Sequence, residues 1–187
     1  MTKRRNMSAE TIRELIDYNP ETGEFYWKPR SVSWFKDASC RTAEHNCRLW
    51  NERYAGCPAM TSVDSYGYRE GRIFGMKISA SRTAWKIVYG YEPENDIDHI
   101  NLDKADNRIA NLREATRSQN QWNHARRSDN TSGYKGVSRV KKTGRYHAYI
   151  RVNGKRRSLG FFLDAETAHE AYKQAAKELH GEFKNYG

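Results

Sequence analysis

The sequence predicts an α+β protein in two modules: a mixed helix and strand module first, then a small three-stranded antiparallel sheet packed on one helix. Three observations predict this. Short runs with period-2 alternation cluster between residues 134 and 162 and contain Asn153-Gly154, the strongest short hairpin signal. Residues 164–180 behind them are Ala-rich, with Asp164 placed to cap a helix and Gly181 to stop it. Upstream, a short strand, a long polar loop and a helical run follow one another between residues 96 and 127.

Composition bounds the partner. The 187 residues are 37% hydrophobic and 30% charged, enough for small modules rather than one large core. A formal charge of +10 favours a polyanion, nucleic acid or an acidic membrane. No apolar run approaches the ~20 residues that span a bilayer. Residues 1–6 have no apolar run behind them to make a signal peptide, and neither a lipidation signal nor a basic amphipathic helix supports membrane binding. Nucleic acid is therefore the expected partner, with no membrane and no organic cofactor. Cys40, Cys47 and Cys57 are an odd set without a secretion signal, which points to reduced thiols in a cytoplasm. With His45 they offer a zinc alternative, but the spacing lacks a C-x-x-C knuckle, and ordinary buried or free cysteines are favoured.

Taken in order, residues 8–18 read as a helix capped by Ser8, with Ile12, Leu15 and Ile16 as its apolar stripe. Asn19-Pro20-Glu21-Thr22-Gly23 is a turn, and residues 24–28 an aromatic strand. Residues 29–54 read as an irregular excursion. Residues 67–81 suggest a hairpin turning at Gly75, and residues 82–89 a helix ended by Gly90. Residues 96–100 predict a strand, 101–113 a polar loop and 116–127 a helix.

The chemistry concentrates there. Asp98 and His99 are adjacent, Asn111 follows twelve residues on, and Asn120 lies twenty-one past the histidine. A carboxylate and an amide oxygen can hold a divalent metal, and an imidazole can take a proton from water. Asn120, Asn123 and His124 are expected on one helical face. Asp103, Asp106, Asn107 and Arg108 are expected to stabilise the loop, a calcium loop being disfavoured because no Glu stands at its end position.

The order His, Asn, Asn resembles the HNH, or His-Me finger, nucleases, most closely those of the phage and intron homing type. The lead-in is similar too: Tyr18, Pro20, Thr22, Gly23 and Trp27, then Gly67-Tyr68, then Arg82, Trp85, Tyr89 and Gly90. Ser81 departs from the family, which often has His there. The resemblance implies a ββα-metal fold, His99 as general base, and Asp98 and Asn120 as ligands of one Mg²⁺ or Mn²⁺. It also implies Asn111 as a catalytic support that pins the histidine loop through backbone hydrogen bonds. His124, from its expected place on the helix, is a candidate third ligand.

Residues 126–187 hold 14 Lys and Arg against 6 Asp and Glu, hence eight of the ten net positive charges. Alternation turns Tyr146, Ala148, Ile150 and Val152 toward the helix, and Arg145, His147, Tyr149 and Arg151 away from it. A basic sheet of this size can enter the major groove. Tyr134-Lys135-Gly136-Val137, the run 144–151 and Leu159-Gly160-Phe161-Phe162 resemble the APETALA-type, ethylene-response-factor DNA-binding domain. By position, Lys135, Gly136, Arg151 and Arg156 fall where that family contacts DNA. Tyr149 and Ser158 replace its usual Glu and Trp, which implies a different target sequence. Arg139, Arg145, Lys141 and Lys142 are expected to touch phosphates.

The expected division is a nuclease domain at 1–125 with its core at 66–125, a linker at 126–133 and the DNA reader at 134–187. The expected activity is metal-dependent cutting of double-stranded DNA by a monomer or weak dimer, cytoplasmic and in the host cytosol if phage-encoded. The alternative is a DNA-binding regulator with a vestigial nuclease module.

Overall fold

The computed structural model describes residues 7–187; the basic start at residues 1–6 lies outside the described residues. The chain divides into two units, Met1–Arg113 and Glu114–Gly187. This division precedes the expected linker and leaves the last helix of the 66–125 core in the second unit.

In the first unit α1 (Ala9–Leu15) is capped by Ser8, whose side chain accepts from the Thr11 amide. It ends earlier than its apolar stripe suggested. Ile16 leaves the helix to start β1 (Ile16–Asn19), which pairs with β2 (Glu24–Trp27). The reason is tertiary: Ile16 and Tyr18 alternate into the core, a strand's use of the same residues. The expected irregular excursion contains α2 (Ala43–Tyr54), capped by Thr42. Only Cys47 of that helix is buried, so it lacks the apolar stripe that sequence periodicity detects. Asn51 ties α2 to the backbone N–H and C=O of Arg30, whose guanidinium lies 3.8 Å from the Trp50 ring centroid.

β3 (Pro58–Ala59) joins β1 and β2; β4 (Ser62–Val63), β5 (Arg69–Ile73) and β6 (Met76–Ser79) form a second sheet. α3 (Ala80–Tyr89) follows, and Gly90 ends it in the left-handed conformation, as the sequence predicts. β7 (Asp96–His99) pairs with β8 (Leu112–Ala115), the strand on which the chain passes into the second unit. One core joins these elements through Leu15, Phe25, Ile73, Trp85, Ile97 and Leu112.

The second unit continues with α4 (Arg117–Asn123), whose start is a complete capping box between Thr116 and Gln119. The helix is shorter than expected: His124 has ψ 143 and leaves it. β9 (Val137–Arg139), β10 (Tyr146–Val152) and β11 (Lys155–Phe162) form an antiparallel sheet in the order β11-β10-β9. Asn153 and Gly154 both have positive φ, the tight turn that dipeptide forms. α5 (Ala165–Leu179) covers the sheet, burying Ala168, Tyr172, Ala175 and Ala176 against Val137, Ala148 and Ile150. Gly136 has φ +73, and a Cβ there would stand 2.1 Å from the Tyr172 ring, so the residue is fixed by packing. The segment before β9 is folded onto it: Asn130 donates to the carbonyls of Tyr134 and Val137, and Ser132 to that of Val137. No helix among the described residues is long and apolar enough to cross a membrane.

Candidate active site and nucleic-acid interface

His99 ends β7 and is 4% exposed. Its ring lies 5.8 Å from that of Tyr68, and its Nε2 is 3.3 Å from Asn107 Oδ1. Asn107 Nδ2 donates to the Ala105 carbonyl, which fixes the amide and leaves Oδ1 facing the imidazole. Nε2–H of the neutral ring is then the donor in this bond. Burial pushes the His99 pKa below its ordinary 6.5, outweighing the Asn107 bond and the nearby carboxylates.

The loop behind His99 is tied at several points. Asn111 accepts from the Asn101 amide at 3.0 Å and donates to the Asp106 carbonyl at 2.8 Å, bridging the backbone. The Ile100 amide donates to the Asn111 carbonyl. Asp106 takes Arg108 and Asn101, and the Arg108 bonds pull its pKa down to about 2.

The opening motif buttresses this same loop. Tyr18 donates its hydroxyl to the Asn107 carbonyl at 2.7 Å, and the Ile109 amide donates to Pro20. Gly23 has φ +74, and a Cβ on it would meet the Arg108 nitrogen at 2.5 Å. Tyr18, Pro20 and Gly23 therefore hold the segment that holds His99, a contact bridging more than eighty residues of chain. The motif residues were visible in the sequence; their target was not.

Asp98 is buried and its Oδ2 accepts from Arg113 Nε at 2.9 Å and Nη2 at 2.8 Å. No sequence pattern marks Arg113 as the partner of Asp98. Their side chains are 5% and 12% exposed, so removing one partner strands a buried charge. Arg113→Ala should destabilise the first unit by about 3–5 kcal/mol, read as a lower urea midpoint; an unchanged midpoint would remove this pair from the account.

In the second unit Asn120 is half-buried on α4 and Asn123 buried at its end. Asn185 donates to the Asn123 carbonyl at 2.9 Å, Trp122 stacks on His180 with ring centroids 4.3 Å apart, and Lys135 Nζ donates to the carbonyls of Trp122 and His124. Burial brings the Lys135 pKa down to about 8. Two expectations change. His124 is exposed beyond the helix, so the same-face argument for a third ligand does not hold. The Lys135 ammonium is spent on the end of α4, where helix carbonyls attract a cation.

The outward sheet face brings together Arg151 and Arg156, which are paired in register, and Tyr149 and Ser158 beside them. The Arg156 guanidinium lies over the Tyr149 ring, 3.4 Å from its centroid. Arg145 precedes the outward row of β10. Arg139 pairs with Tyr146, whose alternation places it on the helix side. Lys135 Nζ is turned to the end of α4, and Gly136 packs against the Tyr172 ring.

Residues 79–122, which span the strand, the polar loop and most of the following helix, match the HNH endonuclease family. The chain carries an HNH endonuclease domain in that segment. It is 30% identical to Protein 3.8 of Escherichia phage T7 over 103 residues, 54% of this chain and 84% of that protein. It is 34% identical over 98 residues to a protein of Acanthamoeba polyphaga mimivirus named as an uncharacterized HNH endonuclease. That alignment covers 52% of this chain and half of that protein. No solved structure matches the chain.

Proposed function

We propose that the protein is a metal-dependent DNA endonuclease of the homing type, carried to its target by the C-terminal sheet. The observation that carries this is the His99 arrangement. A neutral imidazole, oriented by Asn107 and backed by a loop that Asn111 ties together, is suited to take a proton from water. At 4% exposure, water and phosphate reach that ring only as neighbouring side chains give way, and the arriving duplex would have to drive that opening.

The donor suits a hard cation. Asp98 offers a carboxylate, and Mg²⁺ or Mn²⁺ takes oxygen ligands while keeping several waters. Among the described residues no group of three or more His, Cys, Asp or Glu side chains could hold a metal, so the protein would supply few ligands. When bound, the cation acts as a Lewis acid and neutralises charge on the leaving oxygen. Arg113 fixes the carboxylate, Asn107 the imidazole and Asn111 the loop.

The C-terminal sheet on its helix supports an APETALA-type reader: three antiparallel strands, a tight Asn153-Gly154 turn and a bare basic face. A second reading has its own observation. Asp98 and His99 are both buried and Arg113 occupies a carboxylate oxygen, which suits a DNA-binding protein that keeps the nuclease fold without cutting. Incubation of supercoiled plasmid with the full chain separates the two. The nuclease converts it to nicked circles in Mg²⁺ and not in EDTA; the binding protein leaves it supercoiled in both.

A further inference from the structure

The outward face of the reader carries one feature that its basic character does not explain. Phe161 is 58% exposed, yet it is not loose: its ring stacks on His147, centroids 4.5 Å apart and planes 15° from parallel. His147 Nε2 is 2.9 Å from Ser158 Oγ, so the imidazole is anchored from the far side, and it also lies 5.9 Å from the Tyr149 ring. His147 and Phe161 pair directly across β10 and β11, while Ala148 between the outward residues is fully buried under α5. The result is a rigid aromatic step on the face that also presents Arg151 and Arg156.

An exposed phenyl ring held against an imidazole offers an apolar surface to whatever meets this face. In a major groove the apolar feature is the 5-methyl group of a pyrimidine, which Phe can contact. Positive charge on the same face, from Arg151 and Arg156, matches the phosphates flanking such a group. Resting on the reading that this sheet enters the DNA major groove, we propose that Phe161, backed by His147, determines specificity by packing against a pyrimidine 5-methyl group, thymine or 5-methylcytosine. His147 is four residues from Arg151 on one strand, a separation of roughly 13 Å at about 3.3 Å per residue. The methyl contact and the arginine contacts therefore fall on different base pairs.

The test uses the full chain and duplexes selected from a random library, with each thymine replaced singly by deoxyuridine and each cytosine by 5-methylcytosine. Wild type should lose about fourfold in affinity at one position when the methyl is removed. If 5-methylcytosine there restores binding, the methyl group itself is read; if it does not, thymine is the source. Phe161→Ala should bind the thymine and deoxyuridine duplexes equally while keeping its affinity for random duplex. The side chain is exposed, so the variant should fold; an unchanged melting temperature checks this. Discrimination that survives Phe161→Ala, or a wild type that selects a sequence without any methyl dependence, overturns the proposal alone. A wild type that binds no duplex overturns the reader itself.

Discussion

His99→Ala should lower the rate of plasmid nicking by about 100- to 10,000-fold, the range that loss of a positioned general base produces. The substitution removes the ring that Asn107 orients but leaves the loop's own ties: Asn111 to Asn101 and Asp106, and Arg108 to Asp106. The variant should therefore bind DNA as wild type does, and the loss should fall on the cutting step. The pH dependence follows from the sign of the shift. A His99 pKa held below 6.5 keeps the ring neutral at pH 7, so wild-type cutting should be level near neutrality and fall only at acid pH. The same shift makes the folded state reluctant to take a proton on His99. Its contribution to stability is complete above 6.5 and is lost as pH falls through the lower folded value. A profile still rising steeply through pH 8 would assign the titrating group elsewhere.

Removing residues 134–187 should abolish most DNA affinity. Residues 134–187 hold 12 Lys and Arg against 5 Asp and Glu, seven of the ten net charges, leaving +3 on the rest of the chain. A protein that contacts 6–10 phosphates loses roughly 10³–10⁵ in affinity between 50 and 200 mM salt. The truncated chain should bind weakly with a nearly flat salt dependence. A second effect comes from the structure. Lys135, His180 and Asn185 all hold α4, so the deletion strips that helix of its partners as well as its charge. Cutting should therefore fail even at DNA concentrations that compensate for weak binding. Full-length Arg151→Ala with Arg156→Ala separates the two effects, because it weakens affinity while leaving α4 clamped. A truncated chain with an unchanged salt slope would refute the placement of the reader.

How much of this was legible follows from what each residue does. Gly90, Asn153-Gly154, Asp164 and the apolar alternation of β10 are local signals, and each produced its element. α2 escaped notice because it buries little and shows no stripe. Ile16 fits a helix and a strand equally by type, and only the packing of Tyr18 and Phe25 decides. In the candidate site, spacing singled out Asp98, His99 and Asn111. The Arg113 bond to Asp98, the Tyr18 bond to Asn107 and the clamp on α4 are long-range contacts that no periodicity encodes. His124 shows the opposite failure, a helical spacing extended past the helix's actual end.

The most direct measurement of the central claim is imidazole rescue of His99→Ala on supercoiled plasmid in Mg²⁺. The account expects almost no cutting by the variant alone, and cutting that grows with the concentration of neutral imidazole added to the vacated site. Cutting by His99→Ala at the wild-type rate without imidazole would contradict it.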